Sequence, residues 1–464
     1  MEKFSQYLTA VADFVCGYPL FFLLIGGGVY LFISSGAISL RRLPDALKLL
    51  RERPGTDGNT GQISSLQALC SVVAATIGMG NIAGVAIALV MGGPGAIFWM
   101  WVSAIVGMCT KYHEGVLAIA YRRTLSDGST RGGTMYIIEK AFGRGRHWLA
   151  VTFAVAGMFG TLCIMNANQL AEATVAITTP ASKAAWLSAC ANFTGLSIDM
   201  LIRLSVGITL AAVTALVVLG GIRRIARVAS ILVPFMVGVY FIAVAYILIK
   251  HFNQVPAAII SIFTEAFNLK AGIGALIGVA LIGARRAALV NDAGVGTATI
   301  MHSESRNNTP VREGLIAMLG PGIDSGFVCT LTALALLVSG DFSNIEGVKG
   351  LEVAMQAFSN AISGGEYLLM LIVACFGLSS LFSYSFYGNR CATYLFGEQY
   401  ARLHTWFFIL TLILFAVVPL QAAVGLCDLL YAFMAIPTMI TVLLLSRKVR
   451  EITREYFNNR FTAQ

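Results

Sequence analysis

From residue 16 to residue 446 the sequence is a succession of apolar runs, each near the ~20 residues that a helix needs to cross ~30 Å of hydrocarbon, separated by short polar or glycine-rich breaks. No other feature narrows the fold as far. Backbone in lipid must satisfy its own N–H and C=O groups, and only helices and closed barrels do so. A barrel would alternate apolar and polar residues in runs of about 10, whereas FMVGVYFIAVAYILI (235–249) is apolar on every side. The chain reads as an all-α polytopic membrane protein. Charged residues make up 12% of it, against about 25% in a soluble domain, so water is not its main solvent.

Eleven transmembrane helices are predicted, at about 16–35, 66–91, 95–118, 148–177, 203–219, 229–249, 262–284, 314–338, 366–386, 404–421 and 424–446. The first is too long for a signal peptide and lacks its small-residue cleavage site, so it is kept as an extra N-terminal helix. The hydrophilic breaks are too short for a separate soluble domain. The expectation is one transmembrane domain over 1–464, with 447–464 as a cytoplasmic tail.

Orientation follows from the basic residues, which are retained on the cytoplasmic side. One set of alternate loops holds all of the 32 lysines and arginines except Lys3, Lys183, Arg203, Lys250, Lys270 and Lys349. That places the N-terminus outside and the C-terminus in the cytoplasm of a cell-membrane protein. The net charge of +9 is thereby a topology signal, and no nucleic-acid partner is expected. The nine cysteines, Cys163, Cys329, Cys375 and Cys427 among them, lie mostly inside apolar spans without metal-ligand spacing and read as free thiols. No His-rich metal cluster, nucleophile elbow or catalytic carboxylate pair emerges, so neither an enzyme nor a cofactor is expected.

Two helices carry glycine interruptions. LCSVVAATIGMGNIAGVAIALV has Gly78, Gly80 and Asn81 at its middle, and Ala271-Gly272-Ile273-Gly274 interrupts the seventh span. Glycine at this density weakens a helix by about 1 kcal/mol per residue. In hydrocarbon the freed backbone groups must face protein, water or ligand. With the first span set aside, ten spans divide into five-helix groups, 66–249 and 262–446, each opened by such a break. Five is odd, so the second group enters from the opposite side, as inverted repeats around a binding site do. Close helix packing through small residues is the alternative.

Half-helix N-termini offer N–H groups to a carboxylate, and the opposing ends offer carbonyls to a cation or an ammonium group. A zwitterionic amino acid fits that polarity. Met79 and Gly80 would offer amides, and Thr76, Gly272 and Gly274 carbonyls, with Gly78, Asn81 and Leu276 in the same set. GTLCIMNANQLAEA is polar for membrane depth: Gln169 reads as a substrate contact, or else Asn166, Asn168 and Gln169 satisfy neighbouring backbone. Glu172, Asp324 and Asp428 are costly at this depth, Asp324 as a helix anchor or part of an ion path. Lys111, His113 and Glu114 read as an interfacial salt-bridge cluster, and Asp292 with Arg285 and Arg286 as an inner gate or loop anchor.

Residues 75–114, ATIGMGNIAGVAIALVMGGPGAIFWMWVSAIVGMCTKYHE, closely resemble the alanine or glycine:cation symporter family, also called sodium:alanine symporters. VNDAGVGTA (290–298), TPVREGL (309–315), IDSGFVCTLTALALLVSG (323–340) and SYSFYGNRCATYLFG (383–397) match in order. The resemblance implies a leucine-transporter-type fold, one extra helix before a five-plus-five inverted repeat, moving a small neutral amino acid such as alanine or glycine inward with Na+ or H+. It implies a sodium site between the first and eighth core helices. There Ser379, Ser380 and the Phe376 carbonyl would face the carbonyls of Ala74 and Ile77. Val290 and Asp292 stand where the family has Ser and Glu, Thr134 where it has Pro, and Met79 where a smaller residue is common. A channel or a non-transporting receptor on the same helices is the rival class.

Overall fold

The computed structural model describes residue 15 and residues 18–51, 61–124, 130–143, 147–178, 193–268, 273–340, 350–418 and 420–462. Helices in chain order are α1 (Pro19–Ser34), α2 (Leu43–Arg51), α3 (Ser65–Thr76), α4 (Gly80–Gly92), α5 (Gly95–Ala120), α6 (Thr134–Phe142), α7 (Trp148–Thr178), α8 (Ile198–Val218) and α9 (Gly221–Lys250). They continue as α10 (Val255–Ala266), α11 (Ile273–Asn291), α12 (Thr297–His302), α13 (Pro310–Ser339), α14 (Gly350–Ala361), α15 (Gly365–Phe396), α16 (Glu398–Val417) and α17 (Leu420–Thr462). Among the described residues, seven helices (α7, α8, α9, α13, α15, α16 and most of α17) are long and apolar enough to cross a membrane. The bent pair α3–α4 makes an eighth. Helices α1, α5 and α11 overlap the remaining predicted spans. A two-stranded antiparallel ribbon, Arg123–Thr124 with Thr130–Arg131, follows α5.

Residues 447–462 are helical, because α17 continues to Thr462. No glycine or proline follows Pro437 in it, and Glu451 pairs along the helix with Arg447 and Lys448.

Helix α5 is the central post. It packs against α11 on one side and against the start of α13 on the other. Small residues set the second approach, since a Cβ on Gly115 would lie 2.7 Å from Ala317 Cβ and 2.9 Å from Gly314 Cα. Helix α3 starts from a capping box: Gln67 N–H donates to Ser64 Oγ at 3.2 Å, and Ser64 N–H donates to Gln67 Oε1 at 2.9 Å. These contacts fix the helices whose unwound ends surround the cavity.

Candidate functional site

The first break is present where the glycines predict it. Helix α3 ends at Thr76, Ile77 turns to an extended conformation (φ −70°, ψ 96°), and α4 resumes at Gly80 after a 58° bend. Asn81 stitches the gap, its Oδ1 accepting the Gly78 N–H at 2.9 Å. The glycines also permit close approach across the cavity: a Cβ on Gly78 would lie 3.3 Å from Ser380 Oγ, and one on Gly80 the same distance from Val290 Cγ2.

A cavity of about 490 Å³ opens at this break. Of the predicted substrate residues, Thr76, Gly78, Met79, Gly80 and Gln169 line it. Asn81 is fully buried behind them, bonded to Asp324 and lying 3.5 Å from Cys329 Sγ. Gly272 lies outside the described residues. The chain is non-helical at Phe267 and Asn268 and helical again from Ile273, so Gly274 and Leu276 occupy the first turn of α11. What α11 brings to the cavity among the described side chains comes from further along: Ile282, Arg286 and Val290, then Asp292 just beyond its end.

That end is a second unwound stretch, unforeseen as a break. Asp292, Gly294 and Gly296 all have positive φ (51°, 88° and 91°) before α12 begins. Tyr384 O–H donates to Asp292 Oδ2 at 2.6 Å, and Tyr431 O–H donates to the Tyr384 oxygen at 2.6 Å. All three line the cavity and form a polar floor. Sequence reading missed both tyrosines. The only available signal was the SYSFYGNR block, which marks Tyr384 but not what it faces.

Lys111 and Glu114 form the expected ion pair, but inside the protein rather than on an exposed face. Their side chains are 1% and 0% exposed and 3.5 Å apart, and Glu114 Oε1 accepts the Gly294 N–H at 2.9 Å. Hydropathy places them at the end of an apolar run, but α11 and α13 bury that end of α5. His113 is not in the pair; its Nδ1 bonds the Cys109 carbonyl at 2.8 Å. The amides of α7 divide. Asn166 and Gln169 line the cavity, while Asn168 Nδ2 donates to the Phe415 carbonyl at 3.2 Å and to that of Val418. Of the costly acids, Asp324 is fully buried and bonded to Asn81, Glu172 is partly buried on α7, and the Asp428 side chain lies outside what is described.

Beside the break, α15 presents Ser379 and Ser380. Ser379 Oγ lies 3.0 Å from the Ala74 carbonyl and 2.8 Å from that of Phe376. Ser380 Oγ lies 3.2, 3.0 and 3.1 Å from the carbonyls of Ala74, Ala75 and Phe376. The Ala74 and Ala75 carbonyls lie in the last turn of α3, where the helix unwinds before it can supply them with backbone N–H donors, so together with the Phe376 carbonyl and the two hydroxyls five oxygens converge here. Such hard oxygen donors suit a small alkali cation and give no hold to a thiolate-seeking metal. Ala74, Phe376, Ser379 and Ser380 thus come together as expected. The Ala75 carbonyl makes the further contact with Ser380, while Ile77, fully buried, turns at the break.

On the side of the break away from Met91, Glu313 ties the start of α3 to the loop after α12. It accepts from Ser65 Oγ (2.7 Å), Ser305 Oγ (3.0 Å) and Asn307 Nδ2 (3.2 Å), and pairs with His302 Nδ1 at 2.6 Å. Alongside, Gln62 and Ile63 N–H donate to the Glu304 carbonyl, and Arg306 N–H to that of Ile63. Burial pushes the Glu304 carboxyl above its ordinary range, opposed by the Arg390 guanidinium at 2.6 Å.

The residue pattern that defines the sodium:alanine symporter family matches residues 1–464. The chain belongs to the sodium:alanine symporter family. It is 38% identical over 98% of its length to the sodium/alanine symporter AgcS of Methanococcus maripaludis, covering 97% of that protein. It is 30% identical to the amino-acid carrier protein AlsT of Bacillus subtilis, over 99% of this chain and 94% of that one. Among solved structures, MhsT in complex with L-phenylalanine superposes with a TM-score of 0.51 at 14% identity, covering 85% of this chain and 99% of that chain. The fold is therefore of the leucine-transporter type. Membership of this symporter family makes the protein a multi-pass membrane transporter rather than a member of an enzyme family.

Proposed function

We propose that this protein couples inward Na+ movement to uptake of a small neutral amino acid, alanine or glycine, by alternating access. The observation that carries the reading is the convergence of the Ser379 and Ser380 hydroxyls on the carbonyls of Ala74, Ala75 and Phe376, directly beside the cavity at Gly78. Na+ bound there ties α3 to α15 and so stabilises the arrangement in which the cavity is formed. The amino acid lies against the Met79 and Gly80 amides and Gln169, over the floor of Asp292 and Tyr384. With the N-terminus outside, the Met91 end faces the exterior and the Glu313 latch lies toward the cytoplasm. The membrane potential adds about 2.3 kcal/mol per charge per 100 mV to the inward drive.

The test is uptake of labelled alanine and glycine into proteoliposomes under a Na+ gradient, with wild type and the S379A/S380A double variant. Wild type should concentrate label only with Na+ outside, and the double variant should lose that dependence. Sodium-dependent uptake surviving in the variant would remove the site from the mechanism.

A further inference from the structure

Asp324 is fully buried in a seven-residue π-helical stretch, Gly322–Val328, inside α13. Wide turns of this kind recur at functional positions, because they release backbone and re-aim side chains. Its Oδ1 accepts from Asn81 Nδ2, and the Thr76 hydroxyl reaches the same carboxyl. Oδ2 has no hydrogen-bond partner among the described residues. Elements α3, α4, α5 and α11 pack around this stretch. The charged or titratable groups facing it are Lys111 of α5, Asp292 beyond α11 and the Cys329 thiol of α13 itself. Lys111 is engaged with Glu114, and Asp292 with Tyr384. Among the described residues no lysine or arginine forms an ion pair with Asp324.

A lone ionised carboxylate at this depth costs about 2.5–3.5 kcal/mol on insertion scales and is tolerated where something neutralises it. The atoms around it select what that is. Asn81 presents an N–H donor and Cys329 a thiol, which are poor neighbours for a metal cation, whereas a proton needs only Oδ2. Asn81 also accepts the Gly78 N–H, so one amide joins Asp324 to the break that the serine site flanks on its other side. Any movement of the break therefore changes the surroundings of Oδ2.

We infer that Asp324 carries a coupling proton, distinct from the cation held at Ser379 and Ser380. Oδ2 takes H+ from a hydronium ion on the outer side, forming one O–H bond and leaving water. It returns H+ to water on the inner side, regenerating the carboxylate, so a proton accompanies each amino acid. This rests on the symport reading above.

The experiment uses the full chain in proteoliposomes with a pH-sensitive dye in the lumen. Labelled alanine uptake and lumen acidification are recorded together under a Na+ gradient, for wild type and Asp324→Asn. Wild type should acidify the lumen in step with alanine entry, and in Asp324→Asn the acidification that accompanies alanine entry should fall to the background of protein-free vesicles, whatever rate of entry remains. Alanine entry without acidification in wild type overturns the proposal, as does acidification that survives in the variant. Infrared spectra of both purified proteins at neutral pH give a second readout, independent of transport. The wild-type band of a protonated carboxylic acid should be lost in Asp324→Asn, and a band unchanged between the two overturns the assignment. Absence of any sodium-dependent alanine counterflow in wild type would refute the symport reading instead, and the infrared comparison would then decide on Asp324 alone.

Discussion

Replacing Glu313 by Ala should release the latch that ties the start of α3 to the loop after α12. The side chain gathers four donors from two parts of the chain: Ser65 at the start of α3, and His302, Ser305 and Asn307 around the loop after α12. Without it, the Ser65 and Ser305 hydroxyls, 3.0 Å apart, can satisfy each other. Asn307 and His302 have no such recourse. At about 1.5 kcal/mol for each lost bond to a charged acceptor, the latch weakens by about 3 kcal/mol.

Three backbone amides report on that change. The N–H groups of Gln62 and Ile63 donate to the Glu304 carbonyl at 2.8 and 3.2 Å, and Arg306 N–H donates to the Ile63 carbonyl at 2.8 Å. All three bonds break when the two segments part. Hydrogen exchange followed by mass spectrometry on the purified protein should show these amides exchanging about 100-fold faster in Glu313→Ala, since 1.4 kcal/mol is about tenfold. Glu313→Gln keeps the volume and one acceptor oxygen, so its effect should be intermediate. Unchanged protection of all three amides in Glu313→Ala would show that the segments are held together by something other than this carboxylate.

Two other substitutions test the polar interior. Lys111→Met strands Glu114 as a buried charge, which should destabilise the protein by about 3–5 kcal/mol and lower its thermal midpoint in detergent. Lys111→Met with Glu114→Gln should recover most of the loss, and equal midpoints for single and double variants would dismiss the ion pair as the cause. Tyr384→Phe removes the O–H that Asp292 accepts and the oxygen that Tyr431 donates to. Equilibrium binding should show alanine affinity reduced about tenfold, from the ~1.5 kcal/mol of a bond to a charged acceptor. An unaltered affinity would take the cavity floor out of substrate recognition.

What could be read from the sequence, and what could not, follows from the range of the physics involved. Hydrocarbon acts residue by residue, so apolar runs announce helices, and a glycine pair within one announces the break at Gly78. Gln169 was legible for the same reason, as an amide where lipid-facing helices tolerate none. Whether a neighbouring amide binds substrate or backbone is not local: Asn168 caps carbonyls at the end of α16, 247 residues away, and nothing on its own helix says so. That the Lys111 and Glu114 pair is enclosed by protein was illegible on similar grounds. Their depth depends on Gly115 admitting Gly314 and Ala317 against the same turn, a contact between distant segments that hydropathy cannot register. That Ser379 and Ser380 meet the carbonyls of Ala74 and Phe376 was legible, but the contact with Ala75 was not, because where α3 unwinds decides which carbonyls turn toward α15, and that is set to a single residue by the Asn81 stitch. The same stitch contacts Asp324, so the residue that fixes the geometry of the oxygen cluster also holds the carboxyl whose Oδ2 has no partner among the described residues. The proposed cation at the serines and the proposed proton on Asp324, joined through one amide, can be coupled without any longer pathway.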